Sequence, residues 1–89
     1  MIKHLNIKVY GLVQGIFFRV TAKKEANKLG ITGFAQNKPY GSVYIEAEGE
    51  KEKLDKFVSW CKIGPSLAKV KKVEISESPL KNFTEFKTL

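Results

Sequence analysis

Leu5, Ile7 and Val9 alternate with Asn6, Lys8 and Tyr10, the two-residue period of a strand with one buried and one wet face; the run stops at Gly11. From Phe18 the period lengthens. Phe18, Ala22, Ala26 and Leu29 recur at helical spacing with Lys23, Lys24, Glu25 and Lys28 between them, and Gly30 supplies a C-terminal stop. Thr32 to Asn37 and Ser42 to Glu48 then read as a hairpin, the second strand alternating Val43, Ile45 and Ala47 against Tyr44, Glu46 and Glu48. Between them, Lys38-Pro39-Tyr40-Gly41 suits a type I turn with proline second and glycine fourth, which makes Asn37 the last residue of its strand. Leu54, Phe57, Val58 and Cys61 predict a second amphipathic helix, opened by Glu50 and Glu52 and closed by Gly64-Pro65. Val73 and Ile75 mark a fourth strand, and Phe83 to Lys87 a short last one, with Pro79 forcing a break between them.

The order strand, helix, strand, strand, helix, strand is the α+β, ferredoxin-like split βαβ plan (βαββαβ): an antiparallel sheet with two helices on one face. The right-handed crossover rule fixes the hand, and the hairpin strand inserts beside the first strand. The second strand then runs parallel to the first, so Asn37 at its C-terminal end shares a sheet edge with the loop that begins at Gly11.

Eighty-nine residues allow one domain, 1–89, burying about 60–65% of the surface its unfolded chain exposes. Sixteen Lys and Arg against nine Asp and Glu give a net charge of +7, which favours anionic partners without choosing among nucleic acid, an acidic membrane surface and phosphorylated metabolites. The lysines are spread along the chain, as they also are on an ordinary solvated basic surface. The single Cys61 excludes an internal disulfide and a cysteine metal cluster, and reads as a buried thiol on a helix in a reducing cytoplasm. No apolar run approaches the ~20 residues of a membrane span, nor does the N-terminus read as a signal peptide, so the expectation is a soluble, cytoplasmic protein. The single His4, near the start of the first strand, is expected at the surface and far from the Gly11 loop.

The candidate chemistry lies in Gly11-Leu12-Val13-Gln14-Gly15-Ile16-Phe17-Phe18-Arg19, where a strand hands over to a helix. Glycines let peptide N–H groups turn inward, and the helix N-terminus adds unpaired donors and the positive end of its dipole. Arg19 in the first helical turn opposes that dipole, at about 0.3–1 kcal/mol on an exposed helix, so an anion is its natural partner. The segment lacks the Gly-Lys-Ser/Thr ending of a nucleotide-hydrolysing loop. On local physics alone it is also what a glycine-rich turn with a surface arginine looks like, and Asn37 alone reads equally as a structural amide.

Two motifs together decide more than either alone. Val9 through Arg19 closely resembles the first acylphosphatase signature, and Gly33-Phe34-Ala35-Gln36-Asn37, followed by Gly41, Val43 and Gly49, resembles the second in spacing and type. With Gly64-Pro65-Ser66-Leu67-Ala68-Lys69-Val70 the likeness extends over nearly the whole chain. Ile16 stands where valine is usual, Phe34 where tryptophan is common, and Tyr40 where an aspartate is often found; Thr21 lies one residue earlier than the threonine many members carry. The resemblance implies hydrolysis of acyl phosphates to carboxylate and inorganic phosphate. It makes Arg19 and Asn37 catalytic, Arg19 gripping the phosphate and Asn37 positioning the attacking water, with Gln14, Gly15, Ile16, Phe17, Phe18 and Arg19 as the phosphate-binding loop. It implies no cofactor and no metal, a small-molecule acyl phosphate as substrate, and no nucleic-acid or membrane partner; a monomer is the default for so small a domain with no apolar stripe left over.

The implied chemistry suits these residue types. A carboxylic acid leaving group has a pKa of about 4, so its oxygen departs without being protonated and no strong general acid is required. Two readings from other classes use the same fold. A nucleic-acid-binding module is opposed by the outward positions of the central strands, Asn6, Lys8, Tyr44 and Glu46, which are not the paired aromatics that stack bases. A catalytically idle phosphate-binding domain is the other.

Overall fold

Each predicted period becomes an element of the computed structural model, which describes residues 1–89. They are β1 (Ile2–Leu12), α1 (Phe18–Lys28), β2 (Thr32–Asn37), β3 (Val43–Glu50), α2 (Lys51–Cys61), β4 (Lys69–Ser78) and β5 (Phe86–Thr88). The sheet order is β4-β1-β3-β2-β5. β3 lies between β1 and β2 and pairs antiparallel with both, and β4 pairs antiparallel with β1. The sheet is nevertheless mixed at one edge, because the short β5 joins β2 in parallel through Gly33, Phe34 and Ala35.

Both helices cover one face, and the core lies between. Ile7, Val9, Ala35, Val43, Ile45 and Ala47 rise from the sheet to meet Phe18, Ala22 and Ala26 of α1 and Leu54, Phe57 and Cys61 of α2. Each large side chain of that set contributes about 1.5–3 kcal/mol by leaving water. Ala22 and Ala26, both fully buried, let the α1 backbone approach the strands closely. Burial also pushes the Cys61 thiol well up, so it packs as a small apolar group.

β1 runs one residue past Gly11, where sequence pattern ends it. Tyr10 pairs with Lys72 and Gly11 with Val70, leaving Lys71 as the extra residue of a bulge. Gly11 carries φ 128°, and a Cβ there would sit 2.1 Å from the Lys69 carbonyl oxygen, so only glycine lets β4 pass this close. The β2–β3 connection differs from the predicted type I turn. Tyr40, its third residue, has φ 68° and ψ 16°, whereas a type I turn needs a negative φ there.

The outer face holds a second correction. His4 is buried, 1% exposed, with Nδ1 at 2.7 Å from Glu48 Oε2 and Nε2 at 3.1 Å from Glu46 Oε1. The chain between β4 and β5 folds back across this end of the sheet. Lys81 and Phe83 donate their main-chain N–H groups to Glu48, Lys81 Nζ reaches Glu46 at 2.9 Å, and the Phe83 ring packs against Phe34 and His4. Glu46, expected to face outward, is therefore buried as well.

Candidate active site

The C-terminal end of β1, the N-terminus of α1 and the C-terminal end of β2 meet at one edge of the sheet. Val43 pairs with Val9 on one side and Asn37 on the other, which sets the last residue of β2 level with the start of the loop out of β1. A cavity of about 220 Å³ opens here, lined by Val13, Gly15, Phe17, Phe18, Arg19, Val20 and Asn37.

The loop backbone has the alternating handedness of an anion nest. Gly15 has φ 74° and Phe17 φ 63°, with Ile16 between them at negative φ, the pattern that directs successive N–H groups to one concave side. Phe17, 77% exposed, is the Ncap of α1. Holding a phenylalanine in the left-handed region costs about 1–2 kcal/mol. No side chain caps this helix, and no acidic residue lies in its first turn. The first intrahelical bond is Thr21 N–H to the Phe17 carbonyl at 3.0 Å, so the N–H groups of Phe18, Arg19 and Val20 are left to other acceptors. The Thr21 hydroxyl is occupied too, donating to the same carbonyl at 2.8 Å.

Arg19, half-buried at the second position of the helix, is steadied by one contact that sequence pattern does not show. Its Nη1 donates to the main-chain oxygen of Leu89, which is itself held to β2 by a 2.8 Å bond from Leu89 N–H to the Ala35 carbonyl. The guanidinium thus has one arm anchored and a planar face of further donors beside the cavity.

Asn37 lacks such anchoring. Its Oδ1 is buried and no donor of the protein reaches it. An unsatisfied buried amide oxygen costs roughly 1–3 kcal/mol, and natural structures rarely retain one without a functional reason.

Of the six predicted loop residues, Gly15, Phe17, Phe18 and Arg19 line the cavity, whereas Gln14 and Ile16 do not. The Gln14 side chain turns the other way, and its Nε2 donates to the carbonyls of Lys38 and Ser42, each at 2.8 Å. Ile16 packs against the core. No His, Asp or Glu lines the cavity, and no three His, Cys, Asp or Glu side chains anywhere in the chain are grouped to hold a metal ion. No helix is long and apolar enough to cross a membrane.

This geometry can be set beside known proteins. The acylphosphatase family model matches residues 5–88, and a curated acylphosphatase from Methylococcus capsulatus is 40% identical over 88 residues, spanning 98% of this chain and 96% of that relative. The chain belongs to the acylphosphatase family. Among solved structures, an acylphosphatase from Coxiella burnetii superposes with a TM-score of 0.96 at 31% identity, over 99% of this chain and 93% of that one. Full-length HypF, in a phosphate- and nucleotide-bound form, matches all of this chain with only 12% of its own, at a TM-score of 0.89 and 28% identity. The same acylphosphatase fold thus occurs alone and inside a larger protein.

Proposed function

We propose that the chain hydrolyses the carboxyl-phosphate bond of acyl phosphates by attack of water on phosphorus bound in the Gly15–Arg19 loop. The observation that carries this reading is Asn37 Oδ1, a buried acceptor with no protein donor, on the cavity that Arg19 and the uncapped N-terminus of α1 also border.

The phosphoryl group occupies the nest. Main-chain N–H groups from Gly15 to Arg19 and the Arg19 guanidinium take its equatorial oxygens, where charge develops in the loose transition state of phosphoryl transfer. Gln14, expected with the loop residues, stays outside this set: it does not line the cavity, and its side-chain amide is engaged elsewhere. Asn37 Oδ1 accepts a hydrogen bond from the attacking water and sets it in line with the departing carboxylate oxygen. A neutral amide is no base, so the water's proton passes to a phosphate oxygen of the substrate. The carboxylate leaves unprotonated, its conjugate acid having a pKa of about 4, which accords with a cavity lined by no acid.

The test is selectivity by leaving group, measured as phosphate release. Benzoyl phosphate should turn over, with and without a chelator, while an alkyl phosphate monoester, whose alkoxide needs a proton to leave, should not. Equal turnover of both would refute the reading. No turnover of either would favour the idle phosphate-binding domain.

A further inference from the structure

Gln14 stands where the phosphate loop touches the turn that follows Asn37. Both protons of its side-chain amide are committed there, one to the Lys38 carbonyl and one to the Ser42 carbonyl, at 2.8 Å each. These carbonyls flank the turn, and the Ser42 oxygen also takes the Lys38 N–H at 2.9 Å. They are the only side-chain hydrogen bonds joining the two loops. Gln14 is covalently next to Gly15, and Lys38 is next to Asn37, so one amide couples the phosphate nest to the residue proposed to hold the water. The turn it grips carries Tyr40 at φ 68°, a conformation unfavourable for a tyrosine and therefore dependent on outside restraint.

We infer that Gln14 is a positioning residue: by tying the β2–β3 turn to the phosphate loop it fixes Asn37 relative to the bound phosphorus, and its side chain is not a phosphate ligand. This rests on the roles proposed above for Arg19 and Asn37. Only a double donor can do it. An acidic residue of the same shape presents two acceptors to two carbonyls at neutral pH and regains one donor when protonated. The consequence falls on the in-line alignment of water, where displacement by about 1 Å can cost on the order of a hundredfold in rate.

The experiment compares wild type, Gln14→Ala and Gln14→Glu for kcat on benzoyl phosphate and for competitive inhibition by inorganic phosphate, between pH 4 and 7. Expected is a drop in kcat of roughly ten- to a hundredfold for Gln14→Ala with phosphate inhibition little changed. Gln14→Glu should be as poor at pH 7 and should gain kcat, relative to wild type, as pH falls toward the ordinary glutamic acid range. That pH-dependent rescue keeps the test decisive if Gln14→Ala folds badly. Phosphate inhibition weakening in step with kcat would instead make the side chain a ligand, and a Gln14→Glu profile parallel to wild type would remove the donor role; either overturns the inference. A wild-type chain that releases no phosphate would overturn the underlying site reading.

Discussion

Asn37 lies in register with Val9, the two pairing with Val43 from opposite sides of β3. The sheet thereby brings the end of β2 level with the loop out of β1, although the whole of α1 separates them in the chain. Because Asn37 Oδ1 has no donor in the protein, removing it breaks no bond to that atom. Asn37→Ala should keep the wild-type urea midpoint, or exceed it slightly, while kcat falls by on the order of a hundredfold or more. A loss of stability matching the loss of rate would make Asn37 a structural amide.

Arg19 owes its value to shape as well as charge. With one arm on the main-chain oxygen of Leu89, the guanidinium still offers a fork to two phosphate oxygens. Lysine brings the charge but neither the fork nor the ability to hold both partners in plane. Arg19→Lys is expected to lose roughly a thousandfold in kcat/KM for an acyl phosphate, in the range of other transition-state arginines. Near-normal turnover of that variant would take Arg19 out of the mechanism.

The two glycines of the Gly11–Arg19 segment, one in β1 at the bulge and one in the loop, should fail differently. A Cβ on Gly11 would meet the Lys69 carbonyl at 2.1 Å, so Gly11→Ala must push β4 away and should lose about 2 kcal/mol or more of stability in urea melts. Gly15 has φ 74° with open space around it, and alanine there costs about 1 kcal/mol of strain while disturbing the nest. Gly15→Ala should therefore show itself mainly as weaker inhibition by inorganic phosphate. The reverse pattern would mean that the loop is structural and the bulge functional.

The buried carboxylates at the other end of the sheet predict acid sensitivity. Burial alone would raise the Glu48 carboxyl, but the Lys81 amide, the His4 imidazole and the Phe83 amide outweigh it and hold it below the usual range. Glu46 is lowered in the same way, with Lys81 and Tyr44 overcoming its burial. A carboxyl depressed in the folded state stabilises above its unfolded pKa of about 4.3, and that stability is lost as pH falls through the lowered value. The urea midpoint should thus hold near neutrality and fall below about pH 4. Glu48→Gln should lose about 1–3 kcal/mol at pH 7, decline less steeply in acid and keep its kcat, Glu48 being paired with His4 at the far end of β1. An unchanged acid slope would refute the assignment.

The elements were legible because each carries its period over several residues, and the site's two ends because the strand order places Asn37 beside the Gly11 loop. What stayed hidden was set by partners that no local pattern names. His4 sits at an outward position of β1 and reads as wet; it is dry because the segment around Lys81 and Phe83, which has no period of its own, lies over it. Gln14 reads as one more loop residue until the β2–β3 turn arrives beside it. Tyr40 reads as a residue for negative φ, since proline and glycine nearby are compatible with several turns. The Leu89 contact to Arg19 depends on β5 joining β2 in parallel, and three residues of strand are too few to announce their neighbour.

Hydrolysis of benzoyl phosphate in water enriched in oxygen-18, followed by mass analysis of both products, tests the central claim most directly. Attack on phosphorus held by the Gly15–Arg19 loop predicts one labelled oxygen in the inorganic phosphate and none in the benzoate. Label in the benzoate would mean that water attacks the carbonyl carbon, and would contradict the site as built.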